Sequence, residues 1–153
     1  MSEGRPLLDQ VNVVARDVPA MVAFYERLGV DPRVPLVAPW SEHHVSLGAG
    51  DGLDLDVDST TFAEQWDQGW PAGRGGVLLG FRVASRDEVD RLYADLTAAG
   101  HAGQQEPYDA FWGARYAVVA DPEGNAVGLM SPPDPARRFD APEPGSGRHA
   151  SGA

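Results

Sequence analysis

The chain has 153 residues, of which 42% are hydrophobic, a formal charge of −11 and no cysteine. That length suits one ordinary domain or two small modules sharing a core, and the apolar content argues against global disorder. Disulfides, thiolate ligands and thiol nucleophiles are excluded. All twelve basic residues are arginine, so no lysine can form a Schiff base, and so acidic a surface repels nucleic-acid phosphates.

The opening MSEGRPLLDQ lacks the charged-then-apolar layout of a signal segment, and no apolar run reaches membrane-spanning length. A soluble cytoplasmic protein with neither nucleic-acid nor membrane partners is the expectation. From Val11 the sequence VNVVARDVPAMVAFYERLG reads as a strand entering a helix. Asp17 can cap that helix with Pro19 in its first turn, and Val18, Met21, Val22, Tyr25 and Leu28 share one face. Gly29 reads as its stop. Strand-like runs follow at 34–37, 43–47 and 53–57. Residues 60–75 hold Trp66 and Trp70 among Gly and Pro and read as a linker or lid. The second half repeats the order. LGFRVASRDEVDRLYADLTAAG has a strand, a capping box at Ser85–Glu88, a helix burying Val89, Leu92, Tyr93 and Leu96, and a stop at Gly100. A weaker strand at 103–106 precedes clear ones at 116–120 and 126–130. Between the last two, Asp121-Pro122-Glu123-Gly124-Asn125 has the chemistry of a tight hairpin turn. Residues 133–153, rich in Pro, Gly, Ser and Ala, read as a disordered tail.

Aligning Tyr25 with Tyr93 superposes Val13 and Ala15 on Phe81 and Val83, Leu28 on Leu96 and Asp17 on Ser85, a weak internal duplication. The DPEGN turn and the AFYERLG helix resemble the vicinal oxygen chelate superfamily, which holds glyoxalase I, extradiol dioxygenases and bleomycin resistance proteins. The resemblance covers roughly residues 7–132. It implies an α+β fold of two tandem βαβββ modules, forming a curved, partly open eight-stranded mixed sheet around a cleft. The implied division is 1–59 for the first module, 60–75 for the linker, 76–132 for the second module and 133–153 for the tail.

Strand alternation sorts the cleft-facing side chains. Leu53, Leu55 and Val57 belong under a helix and Asp54, Asp56 and Asp58 on the opposite face. By the same parity Gln10, Asn12, His44 and Ser46 face the cleft. Family enzymes bind a divalent metal at matching places in both halves, and the resemblance puts those places at Gln10, Asp56, Leu78 and Gly128. Leu78 and Gly128 offer no side-chain donor, and two oxygen ligands do not make a Zn, Ni or Fe site. No metal or other cofactor is expected.

Acidic residues and large aromatics remain. FWGARYAVVADP, from Phe111 to Pro122, is similar to the stretch of bleomycin resistance proteins where a Trp-Gly run leads into a strand and the final turn. The resemblance therefore implies a metal-free protein that sequesters an aromatic, cationic drug or metabolite and forms a homodimer. Its expected ligand-binding residues are Gln10, Asn12, His44, Asp54, Asp56, Trp66, Trp70, Phe111, Trp112, Tyr116 and Met130, with no catalytic residue. The rival reading is a metal-dependent lyase, isomerase or dioxygenase of the same superfamily.

Overall fold

The computed structural model describes residues 5–28, 30, 32–35, 38–47 and 52–144. Gly29, residues 36–37 of the expected second strand and the tail beyond Pro144 lie outside the described residues. The chain runs β1 (Leu7–Ala15), α1 (Val18–Arg27), β2 (Pro32–Pro35), β3 (His44–Leu47), β4 (Asp54–Ser59) and α2 (Thr60–Trp66). It continues through β5 (Gly76–Arg82), α3 (Arg86–Ala98), β6 (Gly103–Asp109), β7 (Arg115–Ala120) and β8 (Ala126–Met130). The fold is α+β, with the strands in one mixed open sheet of order β2-β3-β4-β1-β5-β8-β7-β6. β1 lies antiparallel to β5 at its centre, and each is flanked by a parallel partner, β4 and β8.

Local chemistry sets the ends of these elements. Asp17 accepts from the Ala20 amide to start α1, and Ser85 accepts from the Glu88 amide to start α3. Gly100, with φ near +100°, follows the α3 C-cap. In the hairpin turn Asp121 accepts from the backbone of Glu123 and Asn125 and from the Asn125 side chain, while Gly124 adopts φ +88°.

Alternation then divides the core. On one face α1 packs Val18, Met21, Val22 and Tyr25 over Ala15, Leu47 and Val57, while α3 packs Val89, Leu92, Tyr93 and Leu96 over Val83, Ala117 and Leu129. Leu28, expected on the buried face of α1, is 65% exposed at its C-cap. The other face carries Val14, Leu78, Tyr116, Val118 and Ala126 against Trp40, Phe62, Ala63, Trp66 and Trp70.

Two sequence expectations need correction. Residues 60–75 are not a plain linker: α2 occupies their first half, capped by Ser59 accepting from the Phe62 amide, and buries Phe62, Ala63 and Trp66. Nor is the chain disordered from Pro133. Up to Pro144 it lies along the molecule, with backbone hydrogen bonds from Asp134 to Gly113 and from Phe139 to Phe111. The fully buried Trp40 donates its indole N–H to the Pro142 carbonyl at 2.8 Å.

Candidate functional site

One sheet face is covered by α1 and α3, and the other carries a cavity. There α2 stands over β1 and β4, and a void of about 160 Å³ opens between them and β7–β8. Gln10 and Asn12 from β1, His44 from β3, and Asp56 and Asp58 from β4 form its polar side. Phe62 and Trp66 from α2, Trp112 from the loop before β7, Tyr116 from β7 and Met130 from β8 form the apolar side. A larger trough of about 820 Å³ runs beside the start of α1, but it is a shallow groove bordered by Arg16, Asp17, Glu26 and Glu42. The smaller cavity carries the concentrated chemistry.

Its polar side is one hydrogen-bonded chain. Gln10 Nε2 donates to Asn12 Oδ1 and Asn12 Nδ2 donates to Asp58 Oδ2, both at 2.7 Å. Trp66 Nε1 donates to the same Asp58 oxygen at 3.2 Å. Asp58 Oδ1 accepts from His44 Nδ1, so both oxygens of this fully buried carboxylate are engaged. His44 Nε2 faces Ser46 Oγ at 3.3 Å and lies 3.9 Å from Asp56 Oδ2.

Asp56 is the exception. It is 5% exposed, yet its Oδ1 is buried without a hydrogen-bond partner. Burial pushes its carboxyl up to about 6, with the neighbouring Asp58 adding to the rise and His44 and Ser46 opposing it. For His44, burial alone lowers the imidazole, but the adjoining Asp58 and Asp56 outweigh it and hold the ring above its ordinary value. Burial, with Tyr108, Asp67 and Asp58 nearby, raises the Tyr116 phenol well above its usual range, leaving a neutral hydroxyl at the cavity.

The structure brings together Gln10, Asn12, His44, Asp56, Trp66, Trp112, Tyr116 and Met130 around this void. It places three expected residues elsewhere. Asp54 sits at the exposed start of β4, one pleat short of the cavity. Trp70 is a core residue behind Trp66, 5.5 Å away edge to face, with its N–H given to the Arg74 carbonyl. Phe111 is buried between Phe62 and Trp112 and borders a smaller void. Phe62 was missed, although Ser59 as a cap and the spacing of Phe62, Ala63 and Trp66 signal a short helix. Asp58 follows from strand parity alone.

The residues do not fit a divalent metal. Gln10 and Asp56 supply two oxygens; Leu78, 1% exposed, supplies none. The space a side chain at Gly128 would need is taken: a Cβ there would lie 2.9 Å from Tyr116 Oη and 3.1 Å from Leu78 Cδ2. Among the described residues no group of three or more His, Asp or Glu suits a metal ion.

The family model of the Glyoxalase/Bleomycin resistance protein/Dioxygenase superfamily matches residues 7–129. Solved structures share the fold. The NAD-dependent benzaldehyde dehydrogenase from Legionella pneumophila superposes with a TM-score of 0.61 at 19% identity, over 80% of this chain and 96% of that one. The Mn(II)-bound glyoxalase from Novosphingobium aromaticivorans gives 0.56 at 21% identity, over 88% of this chain but 41% of the other. Methylmalonyl-CoA epimerase from Mycobacterium tuberculosis gives 0.55 at 18% identity, over 84% and 89%. No curated protein matches the chain.

Proposed function

The chain belongs to the glyoxalase/bleomycin resistance protein/dioxygenase superfamily, and from that premise we propose that it is a metal-free small-molecule binding protein that sequesters an aromatic, cationic drug or metabolite. The observation that carries this reading is the filled space at Gly128: where the family resemblance calls for a metal donor, Tyr116 and Leu78 are packed instead. What remains is a concave site with aromatic surface on one side and carboxylates on the other. Burying a ring there contributes about 25 cal/mol per Å² of apolar area, and the aromatic side chains add cation–π attraction. We read the chain as two βαβββ modules around one cleft, a reading supported by Val11 pairing with Leu79 at the centre of the β1–β5 ladder, where the duplication aligns them. A cytoplasmic homodimer is the proposed state.

Titration of tryptophan fluorescence with a panel of aromatic cations tests this. Saturable quenching is expected without added metal, and EDTA leaves it unchanged. If saturation requires a divalent ion, the reading fails.

A second reading is a lyase, isomerase or dioxygenase. The observation favouring it is the His44–Asp58 pair, in which a buried carboxylate orients an imidazole whose Nε2 faces Ser46, as acid–base chemistry requires. Stoichiometric, tightly bound Zn, Ni, Mn or Fe in elemental analysis of purified protein would put the metal-dependent form of this reading in place of the first.

A further inference from the structure

We propose that the cavity takes a guest of one aromatic ring bearing a delocalised N–H cation, an amidinium being the type, with its N–H groups on Asp56 and Gln10 and its ring among the aromatic side chains. This rests on the binding reading above and narrows it to a ligand class. Three independent features support it.

Size comes first. A void of about 160 Å³ is close to the roughly 150 Å³ engineered cavity that holds a single benzene ring. A single ring fills that volume, so the further rings of a fused polycycle would lie outside it.

The second feature is the hydrogen-bond inventory. On the cavity's carboxylate side Asn12 both donates and accepts and Asp58 has both oxygens engaged, whereas Asp56 Oδ1 is buried and unpartnered. Gln10 spends its amide N–H on Asn12 and has its carbonyl oxygen left to accept. Both open positions are acceptors, so the guest must donate. They lie on adjacent strands, Asp56 opposite Asn12 and Gln10 two residues from Asn12 on the same face, which suits a planar group with donors on both sides.

The third is charge. Asp56 and Asp58 stand against the single imidazole of His44, so even with His44 protonated the cluster is one charge short of neutral. A monocation completes it. Trp112, its N–H fixed on Met130 Sδ at 3.3 Å, supplies the partly exposed aromatic surface for the ring.

Benzamidine and its neutral isostere benzamide provide the test, titrated against the full chain at pH 8 by calorimetry and tryptophan fluorescence. Benzamidine is expected to bind at least about tenfold tighter than benzamide, the advantage of a charge-assisted bond over a neutral one. Asp56→Asn should remove most of that preference, weakening benzamidine by more than it changes benzamide. A three-ring amidine should bind more weakly than benzamidine. Equal affinity for benzamidine and benzamide overturns the proposal without any variant, so a folding defect in Asp56→Asn cannot shelter it. Tighter binding of the three-ring amidine, or quenching only by larger cations, also overturns it but leaves the sequestration reading standing. If no aromatic cation of any size quenches, both fall.

Discussion

Asp56 carries a cost that the fold tolerates at the cavity. Its carboxyl is raised from the ordinary range to about 6, so the folded state holds this proton more tightly than the unfolded chain does. The stability linked to that proton is fully present below the unfolded value near 4 and is lost as pH rises through about 6. His44, also raised, loses its contribution in the same direction. Asp56→Asn, isosteric and uncharged, should therefore stabilise the protein at pH 8 by up to about 3 kcal/mol, with the gain shrinking as pH falls through 6. Urea unfolding of both proteins at pH 8 and pH 5 measures it; an equal difference at the two values removes the linkage. A residue that weakens the fold while facing a cavity is the usual mark of a site kept for binding. At this scale the sequence was legible where alternation governs. Asp56 and His44 could be placed because a strand side chain has only two directions to take. Asp54 escaped the same rule because facing the right way does not help a residue beyond the end of the cavity.

At the scale of elements, α1 and α3 could be read from their caps and apolar spacing, because both are long enough to show a helical period. α2, with seven residues, shows barely two turns, and the Gly and Pro that follow disguise it as loop. The segment after β8 was illegible for another reason. It is held largely by backbone bonds, Asp134 N–H to the Gly113 carbonyl and Phe139 N–H to the Phe111 carbonyl, which leave no pattern in the side chains. One clue was present: Gly113, at φ +92°, has no room for a Cβ, which would lie 2.3 Å from the Asp134 carbonyl oxygen. Truncation after Pro132 strips the partner from the Trp40 indole and uncovers Phe111. The melting temperature should fall by about 5 °C or more in scanning calorimetry. An unchanged value would mean that this segment contributes nothing to stability.

For the whole molecule, charge and apolar surface point outward to partners. A net charge of −11 draws cations toward the protein at low ionic strength, so association with a cationic guest should be the salt-sensitive step. Phe24 and Leu28 on α1 are 56% and 65% exposed, and Leu7 and Leu8 on β1 are 43% and 48% exposed. These are the side chains that the proposed pairing of two chains would cover. Sedimentation equilibrium at micromolar concentration should give twice the mass of one chain; a single-chain mass at every concentration would end the homodimer proposal.

The packing around Gly128 also bears on how the chain could change. A glutamate introduced there would contest volume that Tyr116 and Leu78 already own, and it would meet a leucine where a further ligand is wanted. Regaining chelation thus takes several coordinated replacements, the first of them harmful alone. A chelating centre at this position is closed off by packing as well as by side-chain chemistry, whereas the rim of the cavity can vary without disturbing that packing.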